Sequence, residues 1–288
     1  MSCYLSPVIA WIPGGHLPVV HVHNFSYGLL NPVLGYLMSC LGAFIGLRCI
    51  TRARAYAGTR RALWLLLAAV SLGATGIWAM HFIAMLGFTI SGQTILYNVP
   101  LTIASLAVAV VVVAIGLFIV GFSRTEGALP VVTGGVIIGL GVASMHYLGM
   151  DAMSIPEMIR YNIPLVVLSV LIAIAAGTAA LWAGLKVRGI WSTLTAALIF
   201  GVAVTGMHYT AMAAMHVVAG SGGVYGAGQG ITTGGEAASG FTLPLVLGIG
   251  FFSFLALIVI MLAPSEEDIR ADARLAERHS ERPVSHRR

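Results

Sequence analysis

Residues 206–216 read GMHYTAMAAMH, and the same pattern occurs twice earlier, as SMHYLGMDAM at 144–153 and WAMHFIAM at 78–85. Each copy has a Met before a His and an aromatic residue after it, with another Met four residues beyond the His. On a helix with about 3.6 residues per turn, positions i, i+4 and i+7 project from one face. The pattern therefore predicts three helices that each present one imidazole and one or two thioethers along a single stripe.

The composition predicts that these helices lie in a membrane. Of the 288 residues, 58% are hydrophobic and only 9% are charged, and the mean hydropathy is +0.95. A soluble domain of this length cannot bury so much apolar surface. Apolar stretches of about 20 residues, enough to cross a bilayer, are predicted at 27–48, 63–88, 99–122, 130–153, 162–185, 193–217 and 242–263. The predicted fold class is an all-α integral membrane protein with seven transmembrane helices.

The spacing of the pattern indicates internal repetition. His146 follows His81 by 65 residues, and His208 follows His146 by 62. This period corresponds to two spans with their loops, so we expect three two-helix repeats plus a seventh helix outside the repeat. The expected domains are an extracytoplasmic segment at 1–26, a membrane domain at 27–263 and a charged cytoplasmic tail at 264–288.

The placement of charges predicts the orientation. Fourteen of the fifteen Lys and Arg residues fall on one side of a seven-span chain, and Arg160 falls on the other. Basic residues favour the cytoplasmic side, so the N-terminus is predicted outside and the C-terminus in the cytoplasm, with all three patterns near the outer face. The net charge of +5 is then explained by topology and by contact with anionic lipid rather than by a nucleic-acid partner.

The repeated residues favour a copper site. A His inside a membrane span is costly without a partner and is a candidate functional residue. Imidazole and the soft thioether together favour copper, particularly Cu(I), whereas zinc sites usually recruit thiolate or carboxylate. In any single copy, Met at these positions is more often a core packing residue than a ligand, and it is the threefold recurrence that favours a metal site. The stripes contain His81 with Met85, His146 with Met150 and Met153, and His208 with Met212 and Met215.

Four further residues lie beside the stripes. Tyr147 and Tyr209 follow their His residues and are expected to contact a neighbouring helix or the outer interface. Asp151 and His216 occur in one copy each. They are interpreted either as solvated residues at the membrane boundary or as support for a metal ligand.

The sequence Met207-His208-Tyr209-Thr210, with its two partial copies, closely resembles the MHYT domain, a bacterial integral-membrane sensor module. The resemblance covers about residues 24–263 and implies seven spans in the bacterial plasma membrane. It also implies sensing of oxygen, carbon monoxide, nitric oxide or redox state through bound copper. The ligands that it implies are His81, His146, His208, Met80, Met85, Met145, Met150, Met207 and Met212.

Many members of that family carry a fused cyclase, phosphodiesterase, kinase or DNA-binding domain. The tail after Pro264 is too short for such a domain, so the output is expected to pass through a separate signalling partner. No nucleophile with a base, zinc-protease motif or phosphate-binding loop is found, and the chain is not expected to be an enzyme. The alternatives are a haem-binding redox or electron-transfer protein, since His and Met both ligate haem iron, and a copper-handling protein without signalling. A transporter is less favoured, because no charged residue lies at mid-span.

Overall fold

The structure is a computed structural model that describes residues 22–90, 95–123, 127–155, 158–218, 236–237, 240 and 242–263. Within these residues, seven helices are long and apolar enough to cross a membrane, which confirms the predicted fold class. Most of the segment 1–26 and all of the tail 264–288 lie outside the described residues. We call the end of the bundle that the charge distribution predicts to face outside the outer end, and the opposite one the cytoplasmic end.

Six spans are single α-helices and one is composite. The single helices are α1 (Leu30–Ala53), α4 (Val99–Gly121), α5 (Ala128–Asp151), α6 (Ile163–Lys186), α7 (Ile190–Ala214) and α8 (Thr242–Leu262). Span two runs from Gly58 to Met85. It consists of α2 (Gly58–Val70), a π-helix (Ser71–Ala79) and α3 (Met80–Met85).

The third and fifth spans begin in the same way. Asn98 and Asn162 precede α4 and α6, and each side-chain oxygen accepts a hydrogen bond from the backbone N–H three residues on, at 3.0 Å and 3.4 Å. A Pro lies two residues after each Asn, where its missing N–H has no helical partner to lose. The repeat in sequence is therefore also a repeat in helix capping.

At the cytoplasmic end, the helices of the first two spans extend beyond the apolar stretches predicted for them. Span one was expected to end at 48 but continues to Ala53, and span two was expected to begin at 63 but begins at Gly58. Hydropathy falls where the arginines begin, whereas the helices continue. Arg52 is buried, lies 5.5 Å from the Trp64 ring and donates a hydrogen bond to the Ile260 carbonyl at 2.6 Å. Such partners allow a charged residue to remain within a helix.

Short antiparallel strand pairs close each repeat at the outer end. They are β1 (Val22–His23) with β2 (Thr89–Ile90), β3 (Leu96–Tyr97) with β4 (Met153–Ser154), and β5 (Met158–Tyr161) with β6 (Met215–Val218). A further strand, β7 (Glu236–Ala237), adds to β3. Each of the first three pairs joins the segment before an odd span to the segment after the next even span. Two spans and one strand pair thus make one structural unit.

These strands correct one prediction. Met153 and Met215 were expected on the helical stripe, seven residues after their His. The helices end earlier, at Asp151 and Ala214, because the chain beyond them pairs with the segment before the odd span. Both Met side chains are still buried, but they are strand residues.

Aromatic pairs link the three units in a closed ring. The aromatic residues after His81 and His146 each pack against an aromatic residue that precedes the following odd span. The one after His208 packs against an aromatic residue that precedes the first span. Ring centroids are 6.0 Å apart for Phe82 and Tyr97, 5.5 Å for Tyr147 and Tyr161, and 5.4 Å for Tyr209 and Phe25. The last pair joins the third unit to the first, and α7 accordingly packs against α1. The seventh helix, α8, lies beside this ring against α1 and the π-helix.

Candidate metal centre

The three repeated His residues meet inside the outer half of the bundle. His81 lies in α3, His146 in α5 and His208 in α7, and each side chain is only 1% exposed. Their Nδ1 atoms are 3.1 Å apart for His81 and His146, 3.1 Å for His81 and His208, and 3.3 Å for His146 and His208. One imidazole from each repeat therefore contributes to a single cluster, which we call the His triad.

The separations suit one shared metal ion. Ring nitrogens bound to a tetrahedral ion at about 2.0 Å, the distance typical of zinc, lie about 3.3 Å apart. A proton shared within such a triangle joins two nitrogens at a time, whereas a cation accepts a lone pair from all three. Because the rings are buried, water cannot replace the missing partners. The donor set therefore fits a metal ion, and neutral imidazole is a common copper ligand.

Within the described part of the chain, the Nε2 atoms of His81 and His146, on the far side of each ring from the triad, lack the hydrogen bonds that are usual in metal sites. In metal sites the second nitrogen of a ligating His usually donates to a carboxylate, a carbonyl or water. Among the described residues, the buried Nε2 atoms of His81 and His146 have no hydrogen-bond partner. The His81 Nε2 atom packs against Gly149 instead, where an added Cβ would lie 2.5 Å away. Close packing, rather than a hydrogen bond, fixes the His81 ring.

Gly149 is a site residue that the sequence reasoning missed, although the sequence contains a signal. The position three residues after the His is small in every copy, being Ala84, Gly149 and Ala211. This position lies on the same helix face as the His. A large side chain at Gly149 would occupy the space of the His81 imidazole from the neighbouring repeat.

The Met residues four positions after each His are all buried. Met85, Met150 and Met212 are 2%, 0% and 3% exposed, and they lie one helical turn from the triad toward the outer end. The adjacent layer is therefore rich in soft sulfur atoms, as the sequence predicts. A carboxylate or thiol within the same cluster is not found among the described residues.

The Met residues directly before each His are also buried, but two of them face other parts of the bundle. The Met80 Cγ atom packs toward Gly35 of α1, 3.5 Å from where a Cβ would lie. Met207 lines a small apolar cavity of about 10 Å³. Met145 is buried. These three residues are implied as ligands by the resemblance only, and the first two have other contacts that explain their burial.

The cavity lies on the other side of the triad from the Met layer. Ile77, Val142 and Val204, each four residues before a triad His, line it together with Phe200. Its volume is close to the roughly 10–15 Å³ needed for a single water molecule, but its walls are apolar. The triad is thus a polar layer between a hydrocarbon layer and a thioether layer.

The remaining predicted site residues lie around this core. The Tyr147 hydroxyl is 3.0 Å from Ser169 Oγ on α6. Asp151 is the exposed last residue of α5. His216 is half-buried in β6, opposite Arg160 of β5. Tyr209 stacks on Phe25, and its buried hydroxyl has no partner among the described residues. The rings of Tyr147 and Tyr209 pack edge-on against the imidazoles of His146 and His208, with centroids 5.0 Å and 4.9 Å apart. No described hydrogen bond connects these residues to the triad nitrogens.

Tyr161 is a partner of this outer layer outside the spans. It follows the exposed Arg160 and packs edge-on against Tyr147. Burial, and then the neighbouring Tyr147 and Asp151, raise the pKa of Tyr161 to about 12. Its hydroxyl therefore remains protonated at any physiological pH.

Comparisons with known proteins place these features in a family. The sequence model described as "Bacterial signalling protein N terminal repeat", MHYT, matches residues 75–134 and 139–197. Over 257 residues the chain is 34% identical to the bifunctional diguanylate cyclase/cyclic di-GMP phosphodiesterase MucR of Pseudomonas aeruginosa, covering 86% of this chain and 35% of MucR. No solved structure matches significantly.

Two further relatives show the same partial coverage. The cyclic di-GMP phosphodiesterase NbdA of Pseudomonas aeruginosa is 36% identical over 200 residues, which are 67% of this chain and 25% of NbdA. The signaling protein YkoW of Bacillus subtilis is 30% identical over 202 residues, 68% of this chain and 24% of YkoW. The chain thus spans about a third or less of the length of these relatives. With its seven spans and its repeats matched over residues 75–197, this multi-pass membrane protein belongs to the MHYT family of bacterial signalling proteins.

Proposed function

We propose that this protein is a sensor of the bacterial plasma membrane that holds a copper ion at the His triad and responds to a diatomic gas or to a redox change. The observation that carries the proposal is the meeting of three imidazoles, one from each repeat, with Nδ1 atoms 3.1–3.3 Å apart in a buried layer. His81, His146 and His208 would hold the ion, and Met85, Met150 and Met212 provide a layer of sulfur one helical turn away. Copper supplies one-electron redox chemistry and an exchangeable coordination position.

The residues around the triad would keep water from the metal and couple the metal site to the packing of the repeats. The apolar wall formed by Ile77, Val142 and Val204 excludes water from one side of the triad. Because each imidazole belongs to a different repeat, a change in their mutual distance would act on the packing between repeats. A ligand acts as a signal only if it binds two packings with different affinity. The closed ring of aromatic pairs provides the interfaces between repeats at which such packings would differ.

The output is proposed to pass through a partner. MucR and NbdA are named for making or degrading cyclic di-GMP, and the matches cover only the membrane part that they share with this chain. We therefore extend to this chain the sensor role and not the catalytic one. A separate signalling protein or another membrane protein would receive the change in helix packing at the cytoplasmic end.

The test is the metal content of the purified protein. Copper is expected in the wild type at a fixed ratio to protein and is expected to fall strongly in His81→Ala, His146→Ala and His208→Ala, since each substitution removes one of three ligands. His23→Ala is the matched control, because His23 lies in β1 and outside the triad. Full copper occupancy in all three triad variants, or none in the wild type, would refute the metal site.

The triad gives less support to haem. If two triad imidazoles were the axial ligands of a haem, the porphyrin would have to lie between them, and rings with Nδ1 atoms 3.1 Å apart leave no space for a macrocycle. A visible absorption spectrum of the purified protein decides between the two cofactors. A Soret band would favour haem over copper, and its absence together with bound copper would support the proposal.

A further inference from the structure

The cytoplasmic end of the bundle contains a second and larger cavity, at the opposite end from the His triad. Its volume is about 260 Å³, and α1, span two, α4 and α6 line it. Three of these helices end there, at Ala53, Gly121 and Lys186. The cavity therefore lies at the depth where span meets loop, which is the level of the lipid headgroups of that leaflet.

Two arginines line the cavity and are fixed by helix ends. Arg54 Nη1 donates to the Leu185 carbonyl at 2.7 Å, and Arg61 donates from Nη1 to the Gly121 carbonyl at 3.0 Å and from Nε to the Ala53 carbonyl at 3.3 Å. Carbonyls in the last turn of a helix lack an intrahelical partner, so these bonds satisfy them. A guanidinium carries about five N–H donors, so both side chains keep donors for a further acceptor.

No described carboxylate balances these charges. Asp151 is the only Asp or Glu whose side chain the structure describes, and it lies at the outer end of α5, far from the cavity. An anion at this position would therefore meet the charges of Arg54 and Arg61 and no negative charge of a described side chain.

The deeper wall of the cavity is apolar. Ile50, Leu65, Leu117 and Leu181 line it beneath the arginines. A small inorganic anion would leave this hydrocarbon surface uncovered, and a peptide carboxylate would bring polar backbone against it. A ligand with an anionic head and a hydrocarbon tail matches both parts of the cavity.

We propose that this cavity binds one anionic phospholipid of the cytoplasmic leaflet, with its phosphate on Arg54 and Arg61 and the upper part of an acyl chain against the leucine wall. Arginine pairs well with phosphate because its planar donors match the phosphate oxygens. Basic cavities between membrane helices on this side are suited to anionic headgroups. The site is independent of the metal at the triad, since it shares no residue with it.

The experiment measures lipid binding to the full-length purified protein by native mass spectrometry, with phosphatidylglycerol and phosphatidylcholine added in turn. We expect one tightly bound phosphatidylglycerol and weaker phosphatidylcholine. The variant Arg54→Gln/Arg61→Gln should bind phosphatidylglycerol about 30-fold more weakly, as expected for the loss of two charges near the headgroups. The matched control Arg60→Gln/Arg188→Gln removes two charges from the same end but none from the cavity, and should leave binding within about twofold.

A second variant guards against loss of the fold. Val120 lines the cavity, so Val120→Phe fills part of it without changing any charge, and it should also weaken phosphatidylglycerol binding while leaving the copper content unchanged. Equal binding of the two lipids, or unchanged binding in both cavity variants, would overturn the proposal. So would complete displacement of the lipid by equimolar inorganic phosphate, which would indicate a soluble phosphate ligand. Much tighter lipid binding in Glu266→Gln/Glu267→Gln/Asp268→Asn would instead assign the cavity to the acidic residues of the tail.

Discussion

The imidazole of His81 packs directly against Gly149, a residue of the next repeat, with its Nε2 atom 2.5 Å from the position of an added Cβ. The Nδ1 atom on the other side of the same ring faces the triad. The ring therefore lies between a glycine and the two other imidazoles. Its position depends on the absence of one methyl group.

Gly149→Ala is accordingly expected to displace the His81 ring and to weaken copper binding by about 10-fold to 100-fold, the range found when support of a metal ligand is lost. The measurement is a copper titration in competition with a chelator. Gly206→Ala is the control, because no atom lies within 4 Å of its added Cβ. That substitution should leave the affinity unchanged, since alanine is tolerated in a helix. Equal affinities in the two variants would contradict the role of the close contact.

The thioether layer should decide metal preference. The triple variant Met85→Leu/Met150→Leu/Met212→Leu nearly conserves volume, so folding should be affected only mildly. Loss of the soft donors is expected to lower Cu(I) affinity by about 10-fold or more while leaving zinc affinity nearly unchanged. Parallel titrations with the two ions measure this difference.

Met38→Leu serves as its control, since Met38 is a partly buried residue of α1, a helix that carries no triad His. An unchanged preference for Cu(I) over zinc in the triple variant would show that these Met residues are packing residues and not ligands.

Much of this arrangement was predictable from sequence, and the reason is periodicity. The seven spans, the three repeats and the stripes of His81, His146 and His208 all follow from hydropathy and helical spacing. The meeting of the three stripes did not follow, because a period within one span does not determine how that span is rotated about its axis. The rotation is determined by contacts such as Gly149 with His81, which join residues from different repeats.

The π-helix and the strand pairs were not predicted. Residues 71–79 have the composition of an apolar helix and carry no sequence signal for the wider turn, which lies where α1 packs against span two. The outer strands are two to four residues long, too short for an alternating pattern to be recognised. For the same reason, Met153 and Met215 were placed on helices that end before them.

Packing of α1 against the π-helix should be sensitive to a single methyl group. A Cβ on Gly42 would lie 2.6 Å from both the Gly76 Cα atom and the Ser71 carbonyl oxygen, which are backbone atoms that cannot rotate away. Gly42→Ala is therefore expected to destabilise the protein by about 1–3 kcal/mol through overpacking. Thermal unfolding in detergent measures the loss.

The matching substitution Gly250→Ala lies in α8, where an added Cβ meets no atom within 4 Å. It should leave the melting temperature unchanged or slightly raised. A Gly42→Ala protein as stable as this control would show that the two helices can separate at no cost.

Tyr161 should ionise late. Its pKa is raised to about 12 in the folded protein by burial, whereas an unfolded tyrosine titrates near about 10. Because the folded pKa is the higher one, the stabilising contribution is present below about pH 10 and is lost as the pH rises toward the folded value. Ultraviolet difference absorbance of tyrosinate, compared between wild type and Tyr161→Phe, measures the titration. A difference signal centred near the unfolded value would contradict the burial of this hydroxyl.

The distribution of one imidazole per repeat also has a consequence for biogenesis. Chains are synthesised from the N-terminus, and the first units to emerge fold first. When two repeats have entered the bilayer, His81 and His146 are polar groups in a lipid environment with only each other as partners. The arrival of α7 with His208 supplies the third nitrogen, and an ion that binds at that stage stabilises the assembled bundle alone, because no earlier intermediate has the complete donor set. If the triad holds copper as proposed, insertion of the last repeat would be the step that completes the metal site, and copper supply would then act on maturation of the protein.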